Sequence, residues 1–220
     1  MVKNIIHVYF MPGMAANPSI FENINLPNDK FEMHYLEWVI PLDNETLEEY
    51  AKRMCAKIEY PNPVLIGVSF GGILVQEMSK CIEVKKLIVI SSVKSKHELP
   101  KRMKILKTTN AYKILPTQWV SNIELFAKYT FVKNVTKRLE LYQKYLSVRD
   151  KTYLDWAIKQ IIFWDQQSPN PKAIYIHGDN DAVFPHSCNG NCIIIKGGTH
   201  IMIINKYKWF NKHLPELILN

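Results

Sequence analysis

The chain has 220 residues, enough for one sizeable domain carrying a large insertion. It is 47% hydrophobic and 22% charged with no low-complexity tract or internal repeat, which excludes fibrous and disordered classes. No run of about 18 apolar residues occurs, so no helical membrane span is expected, and the net charge of +8 is lopsided. Residues 93–170 hold 15 Lys and Arg against 6 Asp and Glu, whereas the rest holds 13 against 14. Solvated helix faces account for such a run, and attraction of an anionic substrate is the sharper alternative. No recognised binding motif accompanies it, so nucleic acid is not an expected partner.

In chain order, strand-like runs rich in Val and Ile occur at residues 5–10, 31–38, 64–68, 86–91, 173–177 and 191–195. Several are apolar without alternation, as strands covered on both faces are. The first run is too short and mixed for a signal-peptide core, which places the expected protein in the cytoplasm. Between the runs lie helical patterns. Asn44 is positioned to cap a helix through Glu59, with Leu47, Tyr50, Ala51, Met54 and Ile58 at helical spacing. Residues 71–82 form a second helix, and residues 201–213 a third that Pro215 breaks. Alternating strands and helices predict an α/β domain with a mostly parallel, doubly wound sheet.

Residues 93–171 interrupt that rhythm. Amphipathic segments at 101–115, 123–132, 136–146 and 152–164 predict a helical insertion, too long for a loop. The expected domains are therefore a core of residues 1–92 and 172–220 and a helical cap of residues 93–171. The cap holds 11 of 25 aromatic residues, including Trp119, Trp156, Phe163 and Trp164, most of them expected in its own small core.

Four cysteines are too few for a disulfide scaffold at this length. Cys55 and Cys81 fall in predicted helices and read as small buried hydrophobes. Cys188 and Cys192 with His186 upstream invite a metal reading, but a structural zinc site needs a fourth nearby ligand and a tighter pattern.

The chemistry concentrates at Gly67-Val68-Ser69-Phe70-Gly71, where an apolar strand runs into a helix. In Gly-x-Ser-x-Gly the serine sits on a sharp, strained turn, and Gly67 and Gly71 let strand and helix approach closely. Its hydroxyl projects at a helix N-terminus, where N–H groups favour developing negative charge. The bland alternative is a strand–helix turn whose Ser69 caps the helix. A serine needs a base. His200, in Gly197-Gly198-Thr199-His200, follows the last strand, where a doubly wound sheet gathers its active-site groups. His186 is its one rival, while His7, His34, His97, His177 and His213 read as structural or surface residues. The base needs an orienting carboxylate, and His177-Gly178-Asp179-Asn180-Asp181 offers Asp179 or Asp181. An oxyanion hole would use the N–H of Phe70 and one from the loop Met11-Pro12-Gly13-Met14, with Met14 the candidate.

Through Pro12-Gly13-Met14, Gly67-Val68-Ser69-Phe70-Gly71, His177-Gly178-Asp179-Asn180-Asp181 and Gly198-Thr199-His200, the chain resembles the α/β-hydrolase superfamily. The likeness is to its small esterase-like members with a helical cap. The family pattern His-Gly-x-x-Asp selects Asp181 as the triad acid and leaves Asp179 a turn or supporting role. The same resemblance supports Met14 as the oxyanion donor. Two departures stand out: Pro12-Gly13 replaces the usual His-Gly, and the chain starts at the family's third strand, which implies about six strands rather than eight.

The resemblance implies a Ser69–His200–Asp181 serine hydrolase that cleaves a small-molecule carboxylic ester or thioester through an acyl-enzyme, with no cofactor and no metal. The fold also hosts lyases, peroxidases, dehalogenases and receptors. A dehalogenase needs a carboxylate where this chain has Ser69, and a ligand-binding protein with slow or no turnover is the alternative.

Overall fold

The computed structural model describes residues 5–109, 112, 143–185 and 192–220. Its strands are β1 (Ile6–Met11), β2 (Phe31–Tyr35), β3 (Val64–Val68), β4 (Lys86–Ile90), β5 (Ala173–Gly178) and β6 (Cys192–Ile195). They form one sheet in the order β2-β1-β3-β4-β5-β6, with every neighbouring pair parallel. The chain moves outward from β1 to β2, then returns past β1 to β3. At such a reversal the crevice outside the carboxyl ends of the strands is open to a ligand.

A parallel sheet must be covered on both faces, and all five residues of β3 are buried. Side-chain alternation splits the apolar residues into two layers. Tyr9, Met11, Leu65, Leu87, Val89 and Tyr175 face one way, and Val8, Phe10, Ile66, Ile88, Ile90 and Ile176 the other. The first layer is covered by α1 (Leu47–Cys55), α2 (Phe70–Cys81) and α4 (Lys151–Phe163), the second chiefly by α6 (Tyr207–Leu219). A short helix α3 (Lys101–Thr109) and a single turn α5 (Met202–Asn205) complete the described set. None of the described helices is long and apolar enough to cross a membrane.

Three local expectations shift. Helix α1 is capped by Thr46, not Asn44: Thr46 Oγ1 accepts the Glu49 N–H while the Glu49 carboxylate accepts the Thr46 N–H. That reciprocal pair satisfies two orphan donors at once, and Asn44 instead turns the chain at φ 58°. Pro215 lies inside α6, which continues to Leu219. An interior proline costs about 3 kcal/mol, and the buried stripe Phe210, Leu214 and Ile218 offsets it. Cys81 is exposed rather than buried, although Cys55 is partly covered.

The expected helix at residues 123–132 and most of that at 136–146 lie outside the described residues. Helix α4 is described, and its apolar residues pack on the sheet. Tyr153, Leu154, Trp156, Ala157, Ile161 and Trp164 join the apolar layer of the sheet itself. Asp150 caps the helix by accepting the Tyr153 N–H at 2.9 Å. The indole N–H groups of Trp156 and Trp164 donate to Glu45 O and Glu77 Oε1, both at 2.7 Å. Buried tryptophans need such acceptors, and the residue before the α1 cap and helix α2 supply them.

Candidate active site

Ser69 joins β3 to α2 in a backbone conformation, φ 54° and ψ −121°, that a side chain makes costly. The Ser69 N–H, donating to Ile90 O at 2.9 Å, anchors the turn to β4. The flanking glycines make it sterically feasible. A Cβ on Gly67 would stand 2.3 Å from Gly71 O and 2.6 Å from Val75 Cγ2; one on Gly71 would stand 2.3 Å from Pro12 O. Gly67 thus lets α2 fold back on β3, and Gly71 lets α2 lie against the loop after β1.

Three elements converge on the Ser69 hydroxyl. His200, between β6 and α5, brings Nε2 within 2.8 Å of Ser69 Oγ. Its Nδ1 lies 2.9 Å from Asp181 Oδ2 and 3.1 Å from Oδ1. Asp181 follows β5, and its side chain is wholly enclosed. Oδ1 also accepts the N–H groups of Val183 and Phe184, at 2.8 and 3.0 Å. Burial alone would raise the Asp181 pKa. Hydrogen bonds from His177 and His200, the charge of His200 and the Phe184 N–H outweigh it and hold the carboxyl far below the usual carboxylate range. The other carboxylate, Asp179, turns away and accepts the Gly197 N–H at 2.7 Å, bracing the loop that carries His200.

Among the remaining histidines, His213 packs on Trp209, and His7 and His34 meet each other on the sheet. His186 and Cys188 lie outside the described residues, and Cys192 is disulfide-bonded, which leaves it no thiolate for a metal.

Phe70 is the first residue of α2, so its N–H has no acceptor within the helix. Gly13, just before Met14, is close enough that a Cβ there would lie 3.9 Å from Ser69 Oγ. The loop that carries Met14 and the first turn of α2 thus lie on either side of Ser69. The early loop is held from behind by Trp38, whose indole N–H donates to Gly13 O at 2.8 Å and whose ring stacks on Phe70 at 4.9 Å.

Two residues at the site escape sequence reasoning. His177 Nε2 lies 2.7 Å from Phe184 O and 3.2 Å from Asp181 Oδ2. The carbonyl accepts only, so that nitrogen carries the proton and reaches the carboxylate as a donor. Arg102, on α3, donates through Nη2 to Val183 O at 2.7 Å and Ala182 O at 3.2 Å, tying the insertion to the Asp181 loop. The position of His177 at a strand end was legible, but its partner was not.

No protein-family profile matches the chain, and neither does any curated protein. Many solved structures do. A bromoperoxidase from Bacillus anthracis is similar at TM-score 0.71 and 16% identity, covering 98% of this chain and 92% of that one. An esterase from Exiguobacterium antarcticum gives TM-score 0.68 and 16% identity, covering 100% and 94%. An enol-lactonase from Burkholderia xenovorans LB400 gives 0.71 and 11%, covering 99% and 92%. At these identities the likeness is one of fold.

Proposed function

We propose, for a chain that has the α/β-hydrolase fold, that it is a serine hydrolase acting on a small-molecule carboxylic ester or thioester. The observation that carries this reading is the unbroken chain Ser69 Oγ, His200, Asp181, linked at 2.8 and 2.9 Å. The strained turn that presents the hydroxyl supports it.

Ser69 Oγ attacks the carbonyl carbon while His200 Nε2 takes the hydroxyl proton. The resulting oxyanion accepts hydrogen bonds from the Met14 and Phe70 N–H groups. Collapse breaks the bond to the alcohol or thiol, which leaves with the proton from His200. A water molecule, deprotonated by His200, then attacks the acyl-enzyme, releasing the carboxylic acid and restoring Ser69. Enclosed and ionised, Asp181 orients the imidazole and stabilises its charged form. No step needs a cofactor or metal. Residues 93–171 act as the cap that selects the substrate, with Arg102 coupling its first helix to the Asp181 loop.

Fluorophosphonate labelling of the purified protein tests the reading, followed by turnover on esters and thioesters of increasing acyl length. Stoichiometric labelling and turnover are expected, with kcat about 10⁶-fold lower in Ser69→Ala. Full turnover by Ser69→Ala overturns the mechanism. Labelling without turnover on any ester or thioester replaces it with a ligand-binding protein of the same fold.

A further inference from the structure

A second group of chemically capable side chains lies on β1 and β2, at the edge of the sheet remote from β5 and β6. In the parallel register of β1 and β2, His7 pairs with Glu32 and Tyr9 with His34. Alternation puts the side chains of His7, Tyr9, Glu32 and His34 on one face. His7 Nδ1 and His34 Nε2 approach to 3.0 Å. Glu32 offers a different oxygen to each, Oε2 at 3.7 Å from His7 Nδ1 and Oε1 at 3.8 Å from His34 Nε2.

These separations are close to those between ligands of one ion. With zinc–nitrogen bonds of about 2.0–2.1 Å and zinc–oxygen bonds of about 2.0–2.2 Å at tetrahedral angles, two donors on the same ion stand about 3.3–3.5 Å apart. The imidazole pair stands slightly closer than that, and the half-exposed Glu32 side chain must rotate to bring one oxygen into reach of both nitrogens. Both rings are held in place: Tyr60 stacks on His7 at 3.5 Å with 2° between planes, and Tyr9 on His34 at 4.5 Å with 17°. Without an ion one proton joins the two facing nitrogens, and a second would set two N–H donors against each other. A metal replaces that proton and uses both lone pairs.

His34 borders an open groove of about 410 Å³, lined also by Tyr9, Leu36, Lys57 and Glu59, and Glu32 is half-exposed to solvent. Two imidazoles and one carboxylate suit zinc or a neighbouring late first-row divalent ion, and leave a coordination position for water.

We propose that His7 Nδ1, His34 Nε2 and a Glu32 carboxylate oxygen bind one zinc ion, clamping the edge strand β2 to β1. The ion takes no part in the chemistry at Ser69 and stabilises the folded chain by binding it alone.

Calorimetric titration of the chelator-treated full chain with Zn²⁺ tests this, alongside thermal melts with and without the ion. Wild type and Cys81→Ser should bind one equivalent and melt higher with zinc. Glu32→Gln and His34→Gln should bind at least tenfold more weakly, and fluorophosphonate labelling of Ser69 should be unchanged in both. Glu32 is half-exposed, so its variant decides the matter even if His34→Gln fails to fold. No uptake by wild type overturns the site. So does undiminished affinity in Glu32→Gln, or loss of uptake in Cys81→Ser.

Discussion

Two histidines and one carboxylate occur together twice in this molecule, with opposite arrangements. After β5 and β6, Asp181 stands between His177 and His200, fully enclosed and fed by two backbone N–H groups. Across β1 and β2, the imidazoles of His7 and His34 touch, and Glu32 sits to one side with its side chain 52% exposed. The donor inventory is the same. In the first group an enclosed carboxylate, surrounded by hydrogen-bond donors, keeps its charge and aligns a ring whose far nitrogen meets a hydroxyl. In the second, three donor atoms lie within 4.8 Å of one another where solvent reaches the carboxylate, which suits a cation. Burial and order, more than residue type, separate a proton relay from a ligand set.

The contrast is most severely tested at Asp181. In Asp181→Asn the amide offers a donor where His200 Nδ1–H needs an acceptor, favouring the wrong tautomer, and kcat should fall about 10⁴-fold. The same substitution should flatten the acid side of the stability curve. A carboxyl whose folded pKa is depressed contributes stability fully above its unfolded value, near pH 4, and loses it as pH falls toward the folded value. Urea denaturation at pH 6 and pH 3 should therefore show wild type losing more stability than Asp181→Asn. Equal losses would erase the distinction between the two groups.

A smaller effect belongs to His177, a positioning residue that acts through Asp181. His177→Gln should lower kcat by about 10- to 150-fold with KM unchanged, as one hydrogen bond to a charged group contributes about 1.5–3 kcal/mol. A rise in KM at constant kcat would instead assign His177 to substrate binding. Smallest of all, Glu32→Gln should leave ester turnover unchanged and shift stability by no more than about 0.5 kcal/mol without zinc. A loss of turnover there would link the two groups.

Much of the fold was readable from periodicity. The six strands fall within a few residues of the apolar runs, and β3 matches its run at residues 64–68. Element ends were less legible. Thr46 displaces Asn44 because a capping box requires Glu49 to reach back, and Pro215 is tolerated because the stripe around it is buried. At the site, Ser69 and His200 were legible because each lies at a strand end in a short motif, whereas the residues left Asp179 and Asp181 open and only the family pattern singled out Asp181. His177 was not legible, since its role depends on residues 178–184 folding back so that Phe184 O meets the ring. His7 and His34 stand 27 positions apart, and only the register of β1 against β2 brings them together.

The backbone of Ser69 carries a wider meaning. At φ 54° a glycine would be at ease, whereas a side chain costs about 1–3 kcal/mol. In a chain with no use for this hydroxyl, Ser69→Gly would relieve that backbone cost. On the proposed mechanism, the residue is a marker of continuing demand for the hydroxyl. Descendants that abandon the chemistry should reveal it first at this position, long before the sheet beneath it changes.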